Sequence, residues 1–440
     1  MEIDAGQETS DAVEQKDYPK LVMLSVLHMA QYFPAAFTGV ALPFIFRQQG
    51  LPLEMFWLLA LPGIPRWFKW AMALVVDNYG SSRIGRRKSW IIPCTMVGAF
   101  AYAILALIPP SLTAVHIIIG ILLFKSFVMA AQDIAVDAYA AESMTDAERP
   151  VGTSLINFLG AVAGVLGSGS VAMVETFGWG PTMLAASALM VIAALPAIIR
   201  KEPPPPEASQ LREARGERPN LLKALKRKDS YYIMPFLFLF GFGGAFFLTM
   251  FGPFWADKGL TLTQYGILAP IAGVAGGALA AISTPWLIGR FGLRNTAIIG
   301  VAVLPIEATI YCIYSVMPGL PALPILILTI SLLAFATNIY TYAATISRFR
   351  WASKSQAGTD YALQSSIWNL GVWVAASTAG YVAAKVGWVY FFPIAAVAAA
   401  IGGIFYVVMF DRMERLVVQR EQEELSVAET PDSLTSEVQI

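Results

Sequence analysis

Long apolar stretches recur along almost the whole chain, and polar and charged residues collect between them. A helix that crosses a hydrocarbon core of ~30 Å needs roughly 20 mainly apolar residues. The stretches are long enough to do so, with some tilt. They predict about twelve membrane-spanning helices, over residues 21–46, 52–76, 91–109, 112–140, 151–174, 180–199, 231–256, 263–289, 295–317, 322–346, 357–384 and 387–411.

Composition supports an all-α polytopic membrane protein. Hydrophobic residues make up 57% of the 440 positions and charged residues only 14%, against about 25% charged residues in soluble domains. The 30 basic and 30 acidic residues cancel, so net charge indicates no class of partner. With two cysteines and two histidines, the chain offers neither a disulfide framework nor a cluster of metal ligands.

Positive charge is concentrated in alternate loops, which predicts the orientation. The opposite loops hold little beyond Arg47, Lys258 and Lys385. Both termini are therefore expected in the cytoplasm, and the polar, acidic first 20 residues contain no cleavable signal peptide. The basic segments are 83–88, 200–228, 290–294, 348–354 and 412–415.

The chain repeats itself about its midpoint. Gly152-Thr153 is followed 26 residues later by Gly178-Trp179, and Gly358-Thr359 is followed 29 residues later by Gly387-Trp388. Two six-helix halves around a basic loop are the organisation of major facilitator transporters. In chain order, the expected parts are a disordered cytoplasmic N-terminus (1–20), the N-terminal half (21–199), a cytoplasmic linker (200–230), the C-terminal half (231–411) and a cytoplasmic tail (412–440).

Three motifs resemble the AmpG-like branch of the major facilitator superfamily: GIPRWFKWAMALVVD (63–77), IGRRKSW (84–90) and AAQDIAVDAYAAE (130–142). That branch includes muropeptide permeases, siderophore permeases of the RhtX/FptX type and acetyl-CoA transporters. The AGTDY stretch at 357–361 is similar to the siderophore group. Muropeptide permeases usually carry two further helices, for which this chain has no room, so the resemblance favours the siderophore permeases.

The fourth predicted span carries charge inside an apolar helix. Asp133 and Asp137 are four residues apart and share one face. Each carboxylate in hydrocarbon costs roughly 2.5–3.5 kcal/mol. Both are therefore expected to face a water-filled cavity or the bundle interior, near cationic partners.

Basic residues on neighbouring spans are the expected partners. Arg66 and Lys69 share a face of the second span, and Lys69 is expected to pair with Asp133. Two interpretations are open: these cations pair with carboxylates for structural reasons, or they form a wall that binds an anionic substrate. The same two interpretations apply to Lys125.

Two further roles are predicted for charged residues. By the family resemblance, Asp77, Arg86, Arg87 and Asp137 form a cytoplasmic gate latch. Asp133 and Glu307 are the candidates for proton coupling, although Glu307 could instead make a structural hydrogen bond.

Polar and aromatic residues on the remaining cavity-lining spans are candidates for substrate binding. An aromatic wall with few polar groups suits a bulky amphiphilic ligand, although each residue could also serve as an interhelical hydrogen bond. They are His28, Gln31, Tyr32, Asn157, Asn338, Tyr342, Gln364, Trp368 and Asn369, beside Arg66, Lys69 and Lys125.

These features together predict a secondary active transporter that works by alternating access. No Walker P-loop, nucleophile or metal cluster is present in the sequence, so the proton gradient is the expected energy source and no cofactor or enzyme activity is expected. The resemblance implies a proton-coupled importer of the bacterial inner membrane, first of a ferric siderophore. A muropeptide or an acyl-CoA-like anion is the alternative, and a receptor or assembly factor is a different class. The expected partners are a small solute and the lipid bilayer, without nucleic acid, for a monomer.

Overall fold

A computed structural model describes residues 17–81, 83–145, 148–202, 225–352 and 357–429. Within these ranges the chain is almost entirely helical, and the one β-bridge found there joins Ser81 and Gly85. The all-α prediction is therefore confirmed. The α-helices in chain order are α1 Tyr18–Ala36, α2 Leu42–Gln48, α3 Trp57–Ala60, α4 Lys69–Asn78, α5 Lys88–Leu105, α6 Val115–Ser143, α7 Arg149–Phe177, α8 Trp179–Ile199, α9 Ser230–Thr249, α10 Phe251–Asp257, α11 Leu262–Val316, α12 Leu323–Trp351 and α13 Ala357–Glu429.

Nine helices of the described ranges are long and apolar enough to cross a membrane. Two of them contain a glycine with a left-handed backbone, Gly292 (φ 79°) and Gly387 (φ 72°). An α-helix does not continue through a left-handed residue, so each of these glycines divides a long helix in two. Glycine adopts this conformation readily, whereas residues with a side chain avoid it. The count of twelve spans and the cytoplasmic position of both termini stay predictions. Much of the expected N-terminal tail, linker and C-terminal tail, at 1–16, 203–224 and 430–440, lies outside the described residues.

The second predicted span, 52–76, differs from the expected single helix. It consists of a 3-10 turn over Leu53–Met55, α3, a second 3-10 helix over Leu61–Trp67, and α4. Pro62 and Pro65 supply no amide hydrogen to a helical ladder, and the ring of a proline displaces the carbonyl four residues earlier. The apolar composition predicted the position of this span, but the prolines determine its broken form.

The described helices form two groups that meet along the middle of the molecule. We call α1–α8 the N-terminal group and α9–α13 the C-terminal group. In the first, α1 packs on α7 and α5 on α8; in the second, α9 packs on α13 and α11 on α12. One large hydrophobic cluster runs through both groups, so buried apolar side chains link them.

A set of polar contacts, which we call the outer clamp, joins the two groups at one end. Arg47 donates from Nε and Nη2 to the two carboxylate oxygens of Asp257, at 2.5 and 2.7 Å. Gln48 donates to the carbonyl of Leu260 at 2.7 Å. This end lies opposite the basic loops, so the positive-inside rule predicts that it faces away from the cytoplasm.

At the basic end, a group of four charged residues ties α1, α7 and α8 together. We call it the N-terminal ring. Arg200, at the end of α8, pairs with Asp17 before α1. Lys20 Nζ lies 2.6 Å from Glu148 Oε2, and the other oxygen of Glu148 accepts from the amide of Asp17 at 3.0 Å.

The C-terminal group carries a matching set, the C-terminal ring. Arg420, near the end of α13, lies 2.5 Å from a carboxylate oxygen of Asp229 before α9. Arg227 pairs with Asp360 in the first turn of α13 and lies 3.7 Å from Asp229. In both rings, an arginine near the end of the group's last helix pairs with an aspartate just before the group's first helix. A second basic residue pairs with an acidic residue where a later helix of the same group begins.

The N-terminal ring gives a prediction for the dependence of stability on pH. Burial opposes ionisation of Glu148, but hydrogen bonds from Lys20 and from the amides of Thr145 and Asp17 outweigh it and lower the pKa to about 2 from 4.5. The stabilisation is therefore complete above about pH 4.5 and is lost as the pH falls toward about 2. Glu148→Gln should lower the thermal midpoint of purified protein at neutral pH, and the gap to the parent should narrow below about pH 4.5.

The matched control for that series is Glu54→Gln, which removes an exposed carboxylate at the opposite end. It is expected to leave the thermal midpoint unchanged across the same pH range. A gap for Glu148→Gln that stays constant down to about pH 3 would contradict the assignment of this stabilisation to the ionised carboxylate.

Candidate substrate-binding cavity

A cavity of about 220 Å³ lies between the N-terminal and C-terminal groups. Its wall is formed by α1 with the π-helical turn that follows it, the broken segment 59–69, α6, and the first part of α13. The charged, polar and aromatic residues that line it are Gln31, Thr38, Arg66, Lys69, Lys125, Ser126, Asp133, Asn369 and Trp373.

The ion pair expected between Lys69 and Asp133 is present in the cavity wall. Lys69 is the first residue of α4, where the break in the second span ends, and Asp133 lies on the inner face of α6. Their side chains are 31% and 22% exposed, so water in the cavity reaches both groups. The pair can therefore exchange with a dissolved anion or a proton.

Two other cations in the cavity have no carboxylate partner among the described residues. Lys125 is only 2% exposed, and its ammonium lies 5.1 Å from the centre of the Tyr102 ring, a cation–π contact. Arg66 lies in the wall, and its side chain is exposed. Among the described residues that line the cavity there are thus three cations and one carboxylate, that of Asp133, so this lining carries a surplus of positive charge.

Solvent exposure along α6 shows where the cavity opens. Lys125 is 2% exposed, Asp133 22% and Asp137 60%, so exposure rises toward the end that carries the basic loops. The outer clamp closes the opposite end. Close helix contacts contribute there too, since a Cβ on Gly266 would lie 2.5 Å from the amide nitrogen of Ala172. With the predicted orientation, the structure is open to the cytoplasm.

Loosening the outer clamp should shift the protein toward the opposite opening. Asp257→Asn removes the negative charge that pairs with Arg47. It also weakens the hydrogen bond that Trp388 Nε1 donates to this side chain at 3.0 Å. A partly exposed pair contributes up to ~1 kcal/mol, or about a fivefold change in population. A cysteine at Thr38, in a variant without Cys94 and Cys312, should react about fivefold faster with an impermeant maleimide added on the clamp side.

The control for the labelling experiment is Asp411→Asn, which removes an exposed carboxylate that pairs with Arg294 away from the clamp. It should leave the labelling rate unchanged. Equal rates for Asp257→Asn and the parent would show that the clamp does not hold this end shut.

Six of the predicted substrate-binding or coupling residues line the cavity, and the others lie outside its lining. The six are Gln31, Arg66, Lys69, Lys125, Asp133 and Asn369. Among the others, His28 bonds to the Leu24 carbonyl and to Asp137, and Asn338 bonds within its own helix. Tyr32 and Asn157 are exposed, and Gln364 is buried. The remaining predicted residues outside the lining are Tyr342 and Trp368.

Glu307 also lies away from the cavity. It is fully buried in the second part of α11, and neither of its carboxylate oxygens has a hydrogen-bond partner within the described ranges. Glu307 is not among the residues that line the cavity, and its predicted part in proton coupling stays a prediction.

Contacts of three predicted gate residues, Arg86, Arg87 and Asp137, are described by the structure. Arg86 and Arg87 both bind Glu142 at the end of α6, at 2.9 and 2.6 Å. Glu202 accepts from the amides of Arg87 and Lys88. The side chain of Asp77 lies outside the described residues, and Asp137 contacts His28 at 3.3 Å. The arginines therefore anchor α6, whereas the gating role itself stays a prediction.

An aromatic pair at the cavity was not predicted. The rings of Trp67 and Trp373 lie 5.3 Å apart and come from the N-terminal and C-terminal groups respectively. Trp373 lines the cavity and lies four residues after Asn369, a predicted substrate-binding residue. Because residues four apart share a helix face, that spacing could have identified Trp373.

Comparisons with known proteins identify the family. The family model of the Major Facilitator Superfamily matches residues 24–306 and 238–437. The anhydromuropeptide permease of Escherichia coli is 24% identical over 274 residues, which cover 59% of this chain and 55% of the permease. An uncharacterized protein of Haemophilus influenzae is 25% identical over 280 residues, which cover 59% of this chain and 65% of that protein. The chain thus matches only about half to two thirds of the length of these relatives.

Solved structures show the same fold. The nucleoside transporter NupG covers 89% of this chain with a TM-score of 0.69 and 15% identity, over 99% of its own length. A bacterial homolog of the human lysosomal transporter Spinster, in an inward-facing and unoccupied conformation, covers 92% of this chain and 98% of its own length, with a TM-score of 0.63 and 15% identity. The bacterial relatives and apolar helices agree with the predicted multi-pass protein of the bacterial inner membrane. The chain belongs to the Major Facilitator Superfamily, and this membership points to a transporter rather than an enzyme.

Proposed function

We propose that this chain is a proton-coupled importer of an organic anion. The observation that carries the proposal is the charge of the cavity, where three cations face one carboxylate. Charged side chains within a membrane protein are costly unless a partner compensates them. An anionic solute supplies the missing counter-charge when it binds between the two groups of helices.

The Lys69–Asp133 pair supplies a route for proton coupling. A solute carboxylate or phosphate that binds Lys69 competes with Asp133 for the same ammonium. Asp133, released into a wall that now excludes water, then favours its neutral form and takes up a proton. Solute and proton would therefore enter together, and alternating exposure of the cavity would carry both across the membrane.

An anhydromuropeptide is the first candidate solute, because a permease of that name is a relative over 59% of the chain. A ferric siderophore is the second candidate, supported by the resemblance of AGTDY at 357–361 to siderophore permeases. The cavity of about 220 Å³ is smaller than the ~300–1,000 Å³ pockets that enclose drug-sized ligands. Either solute would place its anionic part in the enclosed region and the rest in the open mouth.

The test is uptake into proteoliposomes that contain the purified chain and have an acidic exterior. Labelled anhydromuropeptide, ferric siderophore and acetyl-CoA are offered separately, with and without a protonophore. We expect one of these anions to accumulate, and the protonophore to abolish its accumulation. The proposed function would be wrong if none of the three anions entered the liposomes, or if none of them stabilised the protein against heat.

A further inference from the structure

The break in the second span places the start of a helix at the cavity wall. After the 3-10 helix, Phe68 has non-helical dihedrals (φ −95°, ψ 3°), and α4 begins at Lys69. Lys69 lines the cavity, and the ten residues of α4 run from there toward the basic end. The end of α4 that faces the cavity is therefore its N-terminus, which carries the partial positive charge of the helix dipole.

The first two amides of this helix have no acceptor within it. The amides of Ala71 and Met72 both donate to the Phe68 carbonyl, at 3.0 and 3.2 Å. No side chain caps the helix, and the amides of Lys69 and Trp70 precede the first amide that has an acceptor within α4 or at its N-cap. Backbone amides without an acceptor are costly at membrane depth, and a helix N-terminus readily binds an anionic oxygen.

A second, independent observation comes from α6. The side chain of Lys125 is almost completely buried, yet it lines the same cavity and has no carboxylate partner within the described ranges. Arg66, one turn before the start of α4, is likewise without an ion-pair partner there. Asp133 already binds Lys69, so two positive charges in this wall are left without a counter-charge from the described residues.

We infer that the start of α4, with Arg66 and Lys125, is a subsite for a doubly charged oxyanion group, either a phosphate monoester or two adjacent carboxylates. This deepens the proposed function and rests on it. The amides of Lys69 and Trp70 donate to one oxygen of the bound group, and the guanidinium of Arg66 donates to a pair of its oxygens. The ammonium of Lys125 compensates the second negative charge. A singly charged group leaves one cation uncompensated, so the subsite selects solutes by charge.

Titration of the full-length, detergent-purified protein with three probes tests this selection. The probes are glycerol 3-phosphate, succinate and acetate at equal ionic strength, read by tryptophan fluorescence because Trp67 and Trp373 adjoin the cavity. Both dianions should bind at least about tenfold more tightly than acetate. Lys125→Met should weaken dianion binding about 10- to 100-fold, as expected for a charge-assisted hydrogen bond, and leave acetate nearly unchanged.

The contribution of the helix start is tested by a matched pair at Trp70. Trp70→Ala keeps the amide hydrogen, whereas Trp70→Pro removes it at a position in the first turn where proline is tolerated. We expect Trp70→Pro to bind the dianions several-fold more weakly than Trp70→Ala. Gel filtration and the thermal midpoint verify that each variant is folded, and Arg66→Gln replaces any Lys125 variant that is not.

The outcomes separate the subsite from the proposed function. Acetate binding as tight as dianion binding, or unchanged dianion affinity in folded Lys125→Met, overturns the subsite while anion transport by the parent still stands. Preference for succinate over glycerol 3-phosphate, or the reverse, supports the subsite and identifies the group that it takes. If no probe binds and no anion is transported, the subsite and the proposed function are both wrong.

Discussion

Asp133→Asn is expected to abolish uphill accumulation of the solute while leaving its exchange across the membrane intact. The carboxylate pairs with Lys69 and is the acidic group of the cavity lining. An asparagine cannot bind or release a proton, so the solute would move without one. With one proton per solute and a gradient of about one pH unit, the parent should reach about tenfold accumulation, and the variant a ratio of about one.

The measurement compares net uptake with counterflow in the same proteoliposomes, where counterflow needs no proton movement. Asp411→Asn serves as the control, because it makes the same chemical change at an exposed carboxylate outside the cavity. It should accumulate solute like the parent. Tenfold accumulation by Asp133→Asn would show that Asp133 does not couple transport to the proton, and Glu307 would then be the candidate for that role.

Elementary charge arguments predicted the centre of the candidate site. Asp133 had to face away from lipid, and Lys69 lay on the neighbouring predicted span, so the ion pair followed from the cost of isolated charges in hydrocarbon. The structure contains that pair. The same argument placed Arg66 and Lys125 in the interior but left their partners open, because the cavity itself could not be derived from helix periodicity.

The form of the second span could not be predicted from its apolar pattern. Hydropathy measures whether a segment can lie in a membrane, and it is insensitive to whether its backbone is α-helical. Pro62 and Pro65 were visible signals of a break. Where α4 would resume, and that its first residue would line a cavity, depends on packing against α6 and α13.

Contacts between distant parts of the chain were also beyond sequence reasoning. Arg200 and Asp17 are 183 positions apart, and Arg420 and Asp229 are 191 apart. The repeat of the two halves was recognised from glycine-containing pairs, but not from these charges. Sequence order shows only that each arginine follows the last helix of its half, whereas the pairing requires the helix ends to meet in space.

The two rings occupy equivalent places but differ in burial, and this difference has an energetic consequence. In the C-terminal ring the side chains of Arg420 and Asp229 are 8% and 3% exposed. In the N-terminal ring those of Arg200 and Asp17 are 37% and 35% exposed. Removing one partner of a buried pair leaves an uncompensated charge, whereas water replaces the lost partner of an exposed one.

Arg420→Ala is therefore expected to lower the free energy of unfolding by about 3–5 kcal/mol. The guanidinium also donates to the Trp351 carbonyl at 3.0 Å, so its loss takes a donor from that carbonyl. It also leaves Asp229 with the more distant Arg227, 3.7 Å away, which also pairs with Asp360. Arg200→Ala, the equivalent change in the N-terminal ring, should cost only about 1 kcal/mol or less. Unfolding of the purified variants in mixed detergent, monitored by tryptophan fluorescence, measures both values.

A double variant separates loss of the ion pair from loss of packing. Arg420→Met with Asp229→Leu removes both charges while keeping similar volume, and replacing a buried ion pair in this way is often close to neutral. It should be clearly more stable than Arg420→Ala alone. Equal losses for Arg420→Ala and Arg200→Ala would show that burial of the ring does not determine its contribution. A double variant as unstable as Arg420→Ala would assign the effect to packing at the end of α13.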